Sequence, residues 1–458
     1  EDDPFTGIFD GNKHTIRSFS SRQWVDYVGL FGYLSTTSQV RDLAIANDCI
    51  PISSPEDFYK ISIDPAYPAD GCYYLTNDID LTGYEHLNVR LQNGSFDGRG
   101  FKISNLEVDY DNGTNRSYGL FYILYGNTTV KNLGVENVNL KSPGRVGALC
   151  GIAFGNILIE NCYSTGSIGL VTGFIPPSTG GTYHDWRNTE MGGLIGSVTF
   201  TSCDRVKKII IKNCFSTCTV ESPYCVNMGG LIGKISPLSG SSVIVEECFA
   251  SGDVLGYSNV GGLIGGIEQS GSDLITQIKN CYSLGSVDIH LSAPVGSYRY
   301  TRTNFGGLVG SIISSSDSIQ NCYSCGSVSG ITNVHGLIGS GGLSGTNVFA
   351  SYWNTTTSGI PTGTDGIPLT DAQMQDLTNF TGWGETKLWE MIDVSGTYPR
   401  LVNTPQRADV DLSVLIPIST LEEFQKIGVD PSYHSNGKYE LLNDIDCSGG
   451  VWEPINLV

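Results

Sequence analysis

Few residues in this 458-residue chain have types and spacings that suit chemistry. Two short acidic runs stand out, "NDIDLTG" from Asn77 and "NDIDCSG" from Asn443. On an extended segment Asp78 and Asp80 point to one side, as do Asp444 and Asp446. With Asn77 and Asn443 they carry oxygen donors suited to Ca²⁺, and the same residue types also serve turns and caps. The six His form no evident triad, and neither HExxH nor GxxxxGK[ST] occurs, so metalloprotease and P-loop chemistry have no residues to run on. No set of Cys and His completes a four-ligand zinc site, and no cofactor motif appears. Two long segments carry Tyr183 and Trp186, and Tyr298, Arg299 and Tyr300. Such side chains are favoured at binding hot spots; they suit stacking on sugars or a partner, or packing within their own loops. N-x-[ST] sequons stand at Asn93, Asn112, Asn115, Asn127, Asn354 and Asn379, and four of them within 93–127 suggest one glycosylated face. The formal charge of -20 excludes nucleic acid and anionic membrane as main partners. No stretch is apolar enough to span a bilayer, and the start "EDDPFTG" lacks the parts of a signal peptide, so the chain reads as mature, processed or a window of something longer.

The elements that would position these residues emerge from self-similarity. One cassette reads "GLFG" at Gly29, "GLFY" at Gly119, "GALCG" at Gly147, "GGLIG" at Gly192, Gly229 and Gly261, "GGLVG" at Gly306 and "GLIG" at Gly336. A second follows most copies of the first: "NCYSTGSI" at Asn161, "NCFSTCTV" at Asn213, "ECFASGDV" at Glu247, "NCYSLGSV" at Asn280 and "NCYSCGSV" at Asn321. Its cysteines, Cys162, Cys214, Cys248, Cys281 and Cys322, are separated by 52, 34, 33 and 41 residues. The shortest interval is the basic turn, and the longer ones carry loops. Each unit holds short runs rich in Ile, Val and Tyr, bounded by Gly, Ser or Asn, which are strand signals. A unit this short cannot bury its apolar face alone, so neighbours must stack into an all-β parallel solenoid. Short helices are expected near "SPEDFYKI", "TLEEFQKI" and "TDAQMQDL". The five Cys should form a column of stacked thiols, where only their volume matters, although coils about 4.8 Å apart would also permit disulfides. Cys49, Cys72, Cys203, Cys218, Cys225 and Cys325 lie off that register and are better disulfide candidates.

The alternating cassettes resemble the GLUG-motif repeats of bacterial surface proteins, found in adhesin-like chains and beside the protease domain of some immunoglobulin A peptidases. The likeness continues through "NDIDL" at Asn77, "GSFDGRGFKISNL" at Gly94, "VKNLGV" at Val130, "SYWNTTTSG" at Ser351 and "GTYPRL" at Gly396. It implies a right-handed parallel β-helix that displays loops outside the cell. One departure is Cys218 in place of the usual Gly, which questions the backbone at that corner.

Residues 50–410 form one complete unit, flanked by two fragments. Residues 416–449 align with 50–83 without a gap, 19 of the 34 being identical, so 411–458 is the front of a second unit. "FTGIFDGNKHTI" from Phe5 matches "GSFDGRGFKI", so 1–49 is the back of an opening section. The two are complementary, with Phe5, Phe9 and Ile16 expected to pack against Trp452 and Ile455 of the next subunit or repeat. A head-to-tail filament subunit and a tandem-repeat segment fit equally, and both are non-enzymatic and extracellular. Copies of the chain are then its partners, and cell-surface glycans are candidate ligands. The rival is a β-helix that binds or degrades polysaccharide, whose site would need paired carboxylates or Ca²⁺.

Overall fold

The computed structural model describes residues 8–17, 39–46, 49–86, 88–109, 116–170, 189–200, 207–236, 240–268, 275–290, 302–313, 316–341, 347–363, 365–383, 388–391, 397–402, 416–418 and 439–441, with the backbone alone at 8–17, 39–46, 116, 416–418 and 439–441. The chain coils as a parallel β-helix. One coil runs Gly144–Gly147, Cys150–Glu160 and Tyr163–Gly169, and each of these strands pairs in parallel with its counterpart in the next coil. Among the described residues, stacking builds sheets of 7, 16 and 14 strands around one apolar core.

The second cassette is the corner of each coil. Its first residue is left-handed, with φ between 51° and 54° at Asn161, Asn213, Glu247, Asn280 and Asn321. Among non-Gly residues Asn tolerates that region best. Its amide also links coils: Asn161 donates to Asn132 at 3.0 Å, Asn132 to Asp97 at 3.0 Å, and Asn321 to Asn280 at 3.2 Å.

The cysteines do form a buried column of free thiols, but volume is not all they supply. Each sulfur donates to the carbonyl two residues back, as from Cys214 to Lys212 at 3.1 Å and from Cys248 to Glu246 at 3.1 Å. The sulfurs of Cys214, Cys248 and Cys322 also accept the backbone N–H of the preceding coil's Cys, at 3.5 Å for Cys162 on Cys214 and 3.4 Å for Cys214 on Cys248. A thiol therefore closes two backbone bonds that a methyl group would leave open. At the end of the column Ser351 does the same with oxygen, accepting from Cys322 N at 3.2 Å and donating to Phe349 O at 3.0 Å. Burial pushes the Cys214 and Cys281 thiols well above their ordinary range.

The next two cassette residues face opposite ways. Tyr163, Phe215, Phe249, Tyr282 and Tyr323 stack ring on ring outside the wall, at centroid spacings of 4.9, 5.1, 4.6 and 5.0 Å. Phe380, Trp383 and Trp389 cover this ladder, so the segment after the last coil folds back along the wall. The following Ser crosses the core to the glycine cassette: Ser164 donates to Gly193 O at 2.9 Å, and Ser324 to Gly336 O at 2.7 Å. A Cβ on Gly193 would lie 2.1 Å from Ser216 Oγ, so the narrow core demands glycine there. This contact across the core is why the two cassettes alternate.

Both ends of the core are plugged. The helix Pro55–Lys60, capped by Ser54, inserts Phe58 against Phe96 and Phe121 at 6.1 and 5.8 Å. At the other end Trp353 occupies the place of the small Ser, in register with Ser324, and its indole donates to Ile360 O at 2.9 Å. The helix Asp371–Met374 falls in "TDAQMQDL" as expected; "TLEEFQKI" lies outside the described residues. The short helices Thr355–Ser358 and Leu377–Asn379 carried no clear signal in the sequence.

Cys49 and Cys72 form a disulfide. Cys218, Cys225 and Cys325 are instead free and buried, which corrects the expectation for them: each fills a separate packed site. Cys325 sits under the aromatic cover while Cys322, three residues earlier, belongs to the core column. Cys203 lies outside the described residues. The backbone at Cys218 is ordinary, since neither it nor Gly252 and Gly285 is left-handed. Glycine is required above it only because a Cβ on Gly252 would lie 1.9 Å from Cys218 O.

Two consequences are measurable. Replacing Cys248 by Ala should destabilise the coil by about 2 kcal/mol through the lost sulfur contacts and the cavity, and Cys248→Ser should cost less; urea unfolding of both variants checks the order. Glu247 stands where other coils have Asn, and the Asn213 Oδ1 beneath it has no donor. Burial raises the Glu247 pKa, opposed by Lys212 Nζ at 3.6 Å, with Glu246 and Cys248 adding to the rise. A raised folded pKa gives stability that is present below the ordinary Glu range and lost as pH climbs through the raised value. Glu247→Asn should therefore gain about 1 kcal/mol near neutral pH and much less near pH 4.5, read from urea midpoints at the two pH values.

Candidate functional site

The long insertions enter at one edge of the helix. Residues 171–188 separate Tyr163–Gly169 from Glu190–Gly192, and 291–301 separate Val287–Ile289 from Thr303–Gly306. Residues 110–115 enter at the equivalent place, between Glu107–Asp109 and Arg116–Tyr118. The 7-stranded sheet receives all three from the same neighbouring sheet, so the described coils bring their roots to a common edge. Tyr183, Trp186, Tyr298, Arg299, Tyr300, Asn112 and Asn115 are in these insertions and lie outside the described residues.

At the root of the first insertion is a buried ion network that the sequence reading missed. Glu190, 2% exposed, meets Arg145 Nε at 2.9 Å and Lys234 Nζ at 3.9 Å, and Lys234 reaches Glu268 at 2.7 Å. Burial pushes the Glu190 pKa up to about 7, against the pull of the two cations. No local motif signals this cluster, because its members come from separate coils. Only the register, which sets Glu190 beside Arg145 and Asn227, assembles it.

The Asp78 and Asp80 carboxylates are committed to hydrogen bonds, Asp80 within its own turn and to the next coil, and Asp78 to the next coil. Asp80 Oδ1 accepts Thr82 N at 2.9 Å, Thr82 Oγ1 at 2.6 Å and Asn105 Nδ2 at 2.7 Å, and these bonds, that from Asn105 first, lower its pKa. Asp78 accepts Lys102 N at 3.0 Å. Among the described residues no three His, Cys, Asp or Glu side chains group as metal ligands, and Asp444 and Asp446 lie outside them.

Beside this turn are two open clefts that share Gly83 and Glu107. One, of about 410 Å³, is lined by Thr82, Asn105, Glu107, Asn137, Asn139 and Ser167 among others. The other, of about 390 Å³, is lined by Tyr84, Glu85, His86, Glu107 and Asp109 among others. Their amides are already engaged: Asn139 donates to Glu107 at 3.2 Å, and Asn137 to Asn105. His86 is 8% exposed, burial lowers its pKa to about 4, and both its ring nitrogens are enclosed.

The sequons separate by environment. Asn93 and Asn127 are exposed and stack one coil apart, using Oδ1 rather than the Nδ2 to which a glycan attaches: Asn93 accepts from Asn127 N and Asn127 from Asn156 Nδ2, both at 2.9 Å. Asn379 is half-buried and donates to Gln373 O at 3.1 Å. Asn354 must be withdrawn, for it is fully buried and its Nδ2 donates to Asp371 at 2.8 Å and Tyr398 at 3.3 Å.

Of the residues expected at the junction, Phe9 and Ile16 fall in the strand Ile8–Arg17, while Phe5, Trp452 and Ile455 lie outside the described residues. Ile8–Arg17 pairs with Gln39–Ala46 as Phe9 to Val40 and Ile16 to Ile45. At the aligned positions further along the chain the pairs are Phe96 to Val130 and Ile103 to Val135. Likewise Ile416–Ile418 pairs with Tyr439–Leu441 in the register of Ile50–Ile52 with Cys72–Leu75.

Among known proteins, the chain is 29% identical over 371 residues to a protein of Evansella cellulosilytica provisionally named a Gly-rich membrane protein. The match takes in 70% of this chain but only 41% of that relative's length. A crystal structure of a Bacteroides ovatus protein, provisionally an immunoglobulin A1 protease, covers 77% of this chain and 92% of its own at 18% identity and a TM-score of 0.43, too slight a likeness to carry activity across. The GLUG motif matches residues 142–169, which span one coil from its glycine cassette through its Asn-Cys corner. The coil that carries the GLUG motif is repeated in register along the axis.

Proposed function

We propose that the chain is a non-enzymatic structural segment of an extracellular or cell-surface protein. Its β-helix units join head to tail, as filament subunits or tandem repeats, and carry their loops along one edge for adhesion. The observation that carries this reading is the pairing of Ile416–Ile418 with Tyr439–Leu441, which repeats the opening register of the complete unit 366 residues earlier. Where a second unit opens in the same register, the axis of the first has a natural continuation. The Cys49–Cys72 disulfide fits an oxidising location, and the membrane-protein name of the relative fits a surface one. No helix among the described residues is long and apolar enough to cross a membrane. Aromatic side chains in the insertions make cell-surface glycans the candidate ligands, with copies of the chain as the structural partner.

Negative-stain microscopy of the purified chain at increasing concentration should reveal rods that lengthen along one axis. The same preparation should release no reducing or unsaturated sugar from acidic polysaccharides. Rods absent at every concentration would contradict the filament form of this reading and leave the tandem-repeat form. Sugar release abolished by substituting a single carboxylate would replace it with the polysaccharide-degrading alternative.

A further inference from the structure

The ion network at the root of the first insertion has an uncharged neighbour. Asn227, 1% exposed, pairs with Glu190 in the parallel ladder, one coil further along. Its Oδ1 accepts Asn259 Nδ2 at 2.9 Å, so a donor already polarises the carboxamide carbonyl. Lys234 departs from its own ladder, where the successive coils hold Ser197, Gly266, Ser311 and Ser340. Its Nζ reaches the next coil, where it meets Glu268 at 2.7 Å; Glu268 N donates to Ile235 O across that step. Gly266 is the neighbour that Lys234 and Asn227 share. It pairs with Lys234, and a Cβ on it would lie 2.4 Å from Asn227 Oδ1 and 3.2 Å from Asn227 Cγ. With no side chain at Gly266, the carboxamide carbon is left within reach of the lysine amine.

An amine, a carboxamide and a buried carboxyl are what amide exchange needs: a nucleophile, an electrophile and a group that moves protons between them. We propose that Lys234 Nζ and Asn227 Cγ condense into an isopeptide cross-link, with Glu190 carrying the protons. Glu268 takes a proton from the Lys234 ammonium, and the freed amine attacks Asn227 Cγ. In the tetrahedral adduct Glu190 gives its proton to Nδ2 and receives one from Nζ. The Cγ–Nδ2 bond then breaks, ammonia leaves with the proton that Glu268 held, and a Cγ–Nζ amide remains. One ammonium ion is released, and neither an oxidant nor a cofactor is consumed. Burial supplies the acid form, since it raises the Glu190 pKa to about 7, and Arg145 Nε at 2.9 Å holds the carboxyl in place. The link would close a ring between Asn227–Gly229 and Ile232–Ser236, fastening the 7-stranded sheet to the 16-stranded one.

Mass spectrometry of the denatured, reduced chain tests the link without any variant. Cyanogen bromide cuts after Met228, between the two residues, so fragments 192–228 and 229–374 should stay joined, with a combined mass lower by one ammonia. Lys234→Arg keeps the charge and should release the two fragments at full mass. Glu190→Gln should slow linkage after refolding by about 100-fold or more, the usual loss when a proton carrier is removed. Separate fragments from the native chain would overturn the proposal even if ammonia were lost, because a succinimide at Asn227 loses ammonia and joins nothing. Fragments still joined in Lys234→Arg would overturn it as well. Linkage at an unchanged rate in Glu190→Gln would overturn the part given to Glu190.

Discussion

The architecture depends on one constraint: each coil lies directly on its neighbour, about 4.8 Å away, with the same residue at the same angular position. That spacing lets Cys214 accept the N–H of Cys162 while its thiol satisfies its own corner, and it stacks Phe215 on Tyr163 with the rings 2° from parallel. It also makes the core narrow enough that Ser164 reaches across to Gly193. Repetition follows from the constraint rather than decorating it, since a side chain that fits one corner fits every corner.

Departures from the repeat concentrate where the stack is interrupted. Trp353 is too large for an internal coil and serves as a plug, and Ser351 ends the sulfur column with an oxygen of the same bonding pattern. Glu247 breaks the Asn corner and leaves an amide oxygen without a donor. The insertions enter beyond the strand ends, where extra residues do not disturb the register, so variable side chains can accumulate there without cost to the core.

The coil and its cassettes were legible in the sequence because stacking demands the same residue types at every turn; the GGLIG and NCYS runs are that demand written out. The likeness of residues 416–449 to 50–83 was legible for the same reason, and Ile416–Ile418 pairs with Tyr439–Leu441 in the register of Ile50–Ile52 with Cys72–Leu75. Contacts joining residues from different coils without a repeating pattern were hidden. The Arg145, Glu190 and Lys234 network is of that kind, as is the aromatic cover of Trp383 and Trp389 over Tyr323. Burial misled the sequon reading at Asn354, whose side chain caps the helix Thr355–Ser358 instead of meeting solvent. The hydrogen-bonding role of the thiols was missed because volume alone accounts for a buried Cys until the corner geometry is known.

Electron cryomicroscopy of assembled chains would test continuity of the coil most directly. The account predicts that the ladder of strands, spaced by about 4.8 Å along the axis, crosses the junction where one chain meets the next. A gap in that ladder at the junction, with folded units strung on flexible linkers or joined side by side, would contradict it.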